Sequence, residues 1–302
     1  MLKLLNFLAS LILLSLYFIY MIVLIKGAGE SNSELSGPFF ALLISLGFAD
    51  LAQTITSWVF LRPRMAALAT TWYEWCDPFC ARVTGYTNMT FLMVQCWALL
   101  ALTANRLTAV VQPLTHELIW QKKRLTTVTL VVWVIPALLH LPWFFLVTDT
   151  QYLLVNGTLF VVRNDPSSIL FVNLYYSASL LNLFLTCLLL VSLYSFMFAK
   201  LVKQMREGNA NVVVSFSEEA PQNRTVSIAE IKLVFSGFVL TCQLVCALCF
   251  LTLFLLSKDL ANLYGLYTIA VDMFSLSNPL VILCCSSLVR TAFSQFFCAR
   301  CC

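Results

Sequence analysis

The sequence predicts an all-α membrane protein, a seven-transmembrane helix bundle with a short C-terminal interfacial helix, and three observations predict it. Hydrophobic residues make up 61% of the 302 residues and charged residues 11%, with a mean hydropathy of +0.89. A soluble domain carries about 25% charged residues, so this chain has too few to wet a globule of its size. Crossing hydrocarbon takes about 20 apolar residues per helix, and seven runs qualify: 4–25, 35–61, 83–111, 125–147, 169–198, 231–256 and 260–285. After Ser287 the pattern changes. Leu288, Val289, Ala292, Phe293, Phe296 and Phe297 share one helical face, with Arg290, Thr291, Ser294 and Gln295 opposite, which describes an interfacial helix over 287–298. The whole of 1–302 reads as one domain.

Several function classes are excluded at this level. The net charge is +4, and the basic residues are spread over loops without an aromatic-laced stripe, so no nucleic-acid partner is expected. Most of the twelve cysteines lie inside apolar runs, where cysteine behaves as a small hydrophobe. The tail Cys-Ala-Arg-Cys-Cys has no second cluster to complete a metal site, so neither metal nor cofactor is expected. The two histidines, His116 and His140, form no His-Glu-x-x-His constellation, and the chain is not read as an enzyme.

The first run has Lys3 before it and Lys26-Gly27-Ala28 after it, as a signal peptide would. Its apolar stretch exceeds the 7–15 residues of a signal core, so it is kept as a span. With seven spans the termini lie on opposite faces. One face collects Lys26, Arg106, Lys122, Lys123, Arg124, the basic residues between spans five and six, Arg290 and Arg300; the other collects half as many. The richer face should be cytoplasmic, which puts the N-terminus outside and the C-terminus inside, in the plasma membrane.

Span two opens after Ser36-Gly37-Pro38, a helix start, and carries Asp50 about 18 Å along the helix, near the midplane. A carboxylate there costs about 2.5–3.5 kcal/mol on insertion scales, so Asp50 should face the bundle interior and be paired, hydrated or protonated. The outer loop 62–82 holds Cys76 and Cys80 across Asp77-Pro78; they pair with each other, pair with a partner chain, or stay free. Span three ends on Asn105-Arg106, and an arginine there marks the boundary with water. Span four carries Pro136 and Pro142, which should kink it, and His140, read as a packed or interfacial group. Tyr175 and Tyr176 of span five line a pocket or belong to an interface belt.

Of the glycosylation acceptors, Asn156-Gly157-Thr158 lies in an outer loop and can carry a glycan. Asn223 should face the cytosol and stay bare, and Asn88 should be unreachable inside span three. The inner loop 199–230 reads as a flexible hinge whose basic start suits anionic lipid. Span seven places Asp272 near mid-bilayer, either as a hydrogen-bonded structural acid or as the counter-ion of a cationic ligand. Pro279 should bend that span, with Asn278 satisfying the backbone the bend exposes. Cys298, Cys301 and Cys302 follow the interfacial helix at the membrane surface, a setting that invites palmitoylation.

Phe48-Ala49-Asp50-Leu51, Arg106, Trp133 and Asn278-Pro279, on seven spans with a short tail helix, resemble a G-protein-coupled receptor. Within that group Asn105-Arg106-Leu107-Thr108, Pro113 and His116-Glu117-Leu118-Ile119-Trp120 resemble the nematode serpentine chemoreceptors of class V or class gamma. The resemblance implies a chemosensory receptor that detects an external small molecule or peptide and signals through a heterotrimeric G protein. Arg106, with Asn105 beside it, would engage that G protein; Asp50, Asn278 and Pro279 would form the polar switch. Asn105 departs from the larger receptor class, in which an acid usually precedes the arginine, and Ile282 stands in place of its span-seven tyrosine. The rival readings are a seven-span ligand-gated channel, against which the charge asymmetry speaks, and a small transporter, which should show internal repeats or broken glycine-rich helices.

Overall fold

Seven long helices stand where the apolar runs predict them in the computed structural model, which describes residues 2–30, 34–65, 70–76, 79–146, 150–155, 158–163, 166–212, 228–256 and 260–298. In chain order the helices are α1 (Leu2–Gly29), α2 (Pro38–Thr56), α3 (Arg62–Met65), α4 (Thr70–Cys76), α5 (Phe79–Val111), α6 (His116–Ile119), α7 (Lys122–Leu146), α8 (Pro166–Val212), α9 (Ile228–Leu256), α10 (Leu260–Cys285) and α11 (Ser287–Cys298). The spans are α1, α2, α5, α7, α8, α9 and α10. Among the described residues, five stretches are long and apolar enough to cross a membrane by themselves: Ser10–Gly29, Pro38–Leu61, Phe79–Val111, Lys122–Phe145 and Asn173–Gln204. The described apolar parts of the other two are Val234–Cys249 and Val271–Cys285.

The bundle is built around α2 and α5. In their apolar windows 72% and 61% of residues are buried inside the protein, against 22% in α7 and 33% in α8. Most of the large side chains that α7 and α8 turn outward are apolar, including Leu138, Phe145, Leu174 and Leu181, as faces that meet lipid require. Helix α2 packs on α5, α5 on α7 and α8, α8 on α9, α9 on α10, and α10 back on α1 and α2.

Several expectations are corrected. The segment after span two is not a loop. A π-helical turn, Ser57–Leu61, leads directly into α3, and α4 comes next. The extra residue of a π-turn rotates the chain beyond it by about 100° relative to an unbroken helix, which re-aims Arg62. The Tyr73 hydroxyl of α4 donates to the Phe60 carbonyl at 2.8 Å, satisfying a backbone group within that turn. Cys76 and Cys80 pair with each other in a disulfide that joins α4 to the start of α5.

The connection from α7 to α8 holds an antiparallel hairpin, β1 (Thr150–Val155) with β2 (Thr158–Arg163), in a register that sets Thr150 opposite Arg163 and Val155 opposite Thr158. The Asn-Gly dipeptide that makes a sequon is also the two-residue hairpin signal. Asn156 itself lies outside the described residues. The flexible hinge expected over 199–230 is helical in its first part: α8 continues to Val212, because Lys200–Glu207 is rich in strong helix formers; residues 213–227 lie outside the described residues. The tail turns as expected, with α11 bent 99° from the end of α10. Arg290 donates to the Leu283 and Cys284 carbonyls at 3.0 and 2.7 Å and so caps α10.

Candidate functional site

Asp50 is wholly buried on α2, and three helices bring donors to its carboxylate. The Tyr17 hydroxyl of α1 donates to Oδ2 at 2.5 Å, Gln95 Nε2 of α5 donates to Oδ1 at 2.8 Å, and Asn278 Nδ2 of α10 donates to Oδ2. Gln95 Nε2 also lies 2.9 Å from the Ser275 hydroxyl of α10. Next to Asn278 on α10, the Ser277 hydroxyl donates to Gln243 Oε1 of α9 at 2.8 Å. The acid is therefore a junction of four spans, with a fifth one bond away. Asn278 serves this carboxylate, not the backbone freed by Pro279 that the sequence points to. Pro279 is buried within α10 beside it.

Towards the outer end, Asp272 does not stand free as a counter-ion. It forms an ion pair with Arg62, whose Nη2 also donates to the Ser10 hydroxyl at 2.9 Å. The Arg62 guanidinium sits over the Trp58 ring, 4.8 Å from its centroid. This clasp ties α1 and α10 to the start of α3, which the π-turn carries on from α2. On the other side of the outer half, Tyr175 and Tyr176 of α8 pack on Trp143 of α7, with centroids 5.3 and 5.4 Å away. Trp143 fits because Gly85 of α5 has no side chain: a Cβ there would strike the indole. His140 Nδ1 lies 2.7 Å from the Pro136 carbonyl, so that nitrogen carries the proton, and the ring packs edge-on against Tyr175. The histidine is packed, as expected.

At the opposite end, Arg106 at the foot of α5 lays its guanidinium over the ring of Phe39, in the first turn of α2, with 3.5 Å from its carbon to the centroid. Asn105 is buried, and its Nδ2 has no hydrogen-bond partner among the described residues. One turn above Arg106, the Thr103 hydroxyl lies 3.0 Å from the Tyr194 hydroxyl of α8. Gly237 of α9 abuts that hydroxyl so closely that a Cβ would collide with it. Below Arg106, Trp120 Nε1 donates to the Thr108 hydroxyl at 2.8 Å, and His116 Nδ1 lies 3.0 Å from the same oxygen. Thr108 thus latches α6 onto α5, and the turn before α6 leaves Leu114 94% exposed. Lys26, at the end of α1, lies 6.0 Å over the Phe296 ring of α11, which puts the ends of α1 and α10 on one side.

The structure brings Asp50 and Asn278 together and keeps Asp272, Tyr175, Tyr176 and Arg106 apart from them. Tyr17, Gln95, Arg62, Phe39 and Tyr194 carry no distinguishing mark in the sequence. A tyrosine or glutamine inside an apolar run is a weak signal, and Arg62 has the weight of a loop residue. Cys298 ends α11, while Cys301 and Cys302 lie outside the described residues.

Two comparisons bear on the purpose of this arrangement. The pattern of the family described as Serpentine type 7TM GPCR chemoreceptor Srv matches residues 6–298. Serpentine receptor class V-1 of Caenorhabditis elegans is 24% identical over 289 residues, covering 93% of this chain and 85% of that protein.

Proposed function

The chain belongs to the serpentine chemoreceptor family Srv, a multi-pass membrane receptor family, and from that membership we propose that it detects an external chemical and signals through a heterotrimeric G protein at the Arg106 end. The proposed orientation has the N-terminus outside, the C-terminus in the cytosol, and the plasma membrane between. The observation that carries the reading is the foot of α5. A cation held against an aromatic ring, a short helix latched by Thr108, and Leu114 standing almost wholly in water form a surface suited to a protein partner.

A ligand entering between the outer halves would act where the helices are tied by polar contacts. It can part the Arg62–Asp272 pair, or repack Trp143 against Tyr175 and Tyr176. Either change alters the relative positions of α10, α2 and α8. Through Asp50, Asn278 and the Ser277–Gln243 bond it reaches α9, whose departure from Tyr194 would open the cytoplasmic end. A glycan on Asn156 and palmitoyl groups on Cys298, Cys301 and Cys302 belong to the same orientation.

Replacing Arg106 with alanine tests the coupling. In correctly inserted protein, second-messenger output should fall by about tenfold or more, the effect expected when a charge-assisted contact worth roughly 1.5–3 kcal/mol is lost. Unchanged output would remove the coupling role.

A further inference from the structure

We propose that Phe39 is the positioning residue for Arg106: its ring holds the guanidinium against α2 in the resting receptor, and the arginine becomes available to its cytoplasmic partner only when that contact parts. This rests on the coupling role proposed for Arg106.

Three observations support it. The guanidinium carbon lies 3.5 Å from the ring centroid, which is direct face-on contact. Residue 105 is a buried, uncharged asparagine whose Nδ2 has no hydrogen-bond partner among the described residues, so the neighbouring position brings no counter-charge to the arginine. Phe39 is itself fixed. It is buried, it packs edge-on against Phe40 at 5.2 Å, and it stands in a turn started by Pro38. A ring so placed cannot follow the arginine outward, so the contact has two states, made and broken.

The Arg106–Phe39 contact coexists with a seated α9: Tyr194 bridges to Thr103 one turn above, and Gly237 of α9 abuts the Tyr194 hydroxyl. In the proposal this joint arrangement is the resting one. Weakening it should raise signalling in the absence of ligand.

The test uses the full-length receptor in lipid nanodiscs, with phenylalanines carrying one, two and three ring fluorines at position 39. Fluorine drains the ring face of negative charge stepwise and leaves its shape nearly unchanged. Basal nucleotide exchange on a panel of purified G-protein heterotrimers should rise with each fluorine, reaching roughly three- to tenfold at the third. Phe39→Leu should match or exceed that. The melting midpoint should fall in the same order, and the fall should vanish when Arg106 is changed to glutamine. A flat exchange series from a receptor that does drive exchange overturns the proposal. A receptor that drives no exchange at all refutes the coupling reading instead. In that case the melting series decides the contact: no graded fall, or one that persists in Arg106→Gln, overturns it.

Discussion

Asp50 receives one hydrogen bond from each of three spans, and the donors are not equal. Gln95 and Asn278 are amides, which can turn their other end to a changed partner. Tyr17 has a single hydroxyl on a rigid ring, and it is the α1 group that donates to this carboxylate. Tyr17→Phe keeps the packing and removes the donor. It should cost about 1.5–3 kcal/mol, the range for hydrogen bonds to charged groups, read as a lower denaturation midpoint in detergent. A midpoint equal to wild type would mean that α1 is not held through this carboxylate. Asp50 and Asn278 were legible in the sequence because a polar group at mid-membrane depth is costly and must be used. Their partners were not. Which of several tyrosines and glutamines meets the acid depends on the rotation of each helix, and no local pattern records that rotation.

The same distinction holds between elements. Span lengths and the tail helix could be read from apolar runs and a change of period. The π-turn at Ser57–Leu61 could not, because its single extra residue leaves no mark in composition, yet it carries Arg62 into the bundle. Two predictions belong at this scale. Removing either member of the Arg62–Asp272 pair leaves a partly buried charge uncompensated and should destabilise the protein by about 3 kcal/mol. The exchanged pair, Arg62→Asp with Asp272→Arg, should recover part of that loss in thermal melting, and no recovery would argue against a clasp between α3 and α10. Gly237→Ala forces a methyl group onto the Tyr194 hydroxyl. The closed packing of α8 and α9 should weaken by about 1–3 kcal/mol, and basal signalling should rise. Gly29→Ala meets nothing within 4 Å and serves as the neutral control.

For the molecule as a whole, polar contacts form three levels through an otherwise greasy bundle: the Arg62 clasp, the Asp50 junction, and the Arg106 foot. The middle level is shared by α1, α2, α5 and α10, so a displacement at one end has a rigid, fully buried relay to the other. Two of these levels are visible in the sequence, the mid-membrane acids Asp50 and Asp272 and the Arg106 foot; that Asp272 belongs to a separate level with Arg62 is not. The hairpin between α7 and α8 is not, since its strands are as apolar as the spans around them and only the Asn-Gly turn distinguishes them. What gives the levels a direction is the face each occupies. Lys26, Arg106, the basic Lys122–Arg124 run and α11 should share the cytosol, and β1, β2 and the Cys76–Cys80 disulfide should face outward, in the orientation proposed above. The most direct measurement is side-specific labelling in intact cells, with one epitope after Cys302 and an enzymatic assay for a glycan on Asn156. The expected result is a tail epitope reachable only after the membrane is permeabilised, together with a glycan on Asn156. An epitope labelled in unbroken cells would contradict a cytoplasmic Arg106 end and the signalling role built on it.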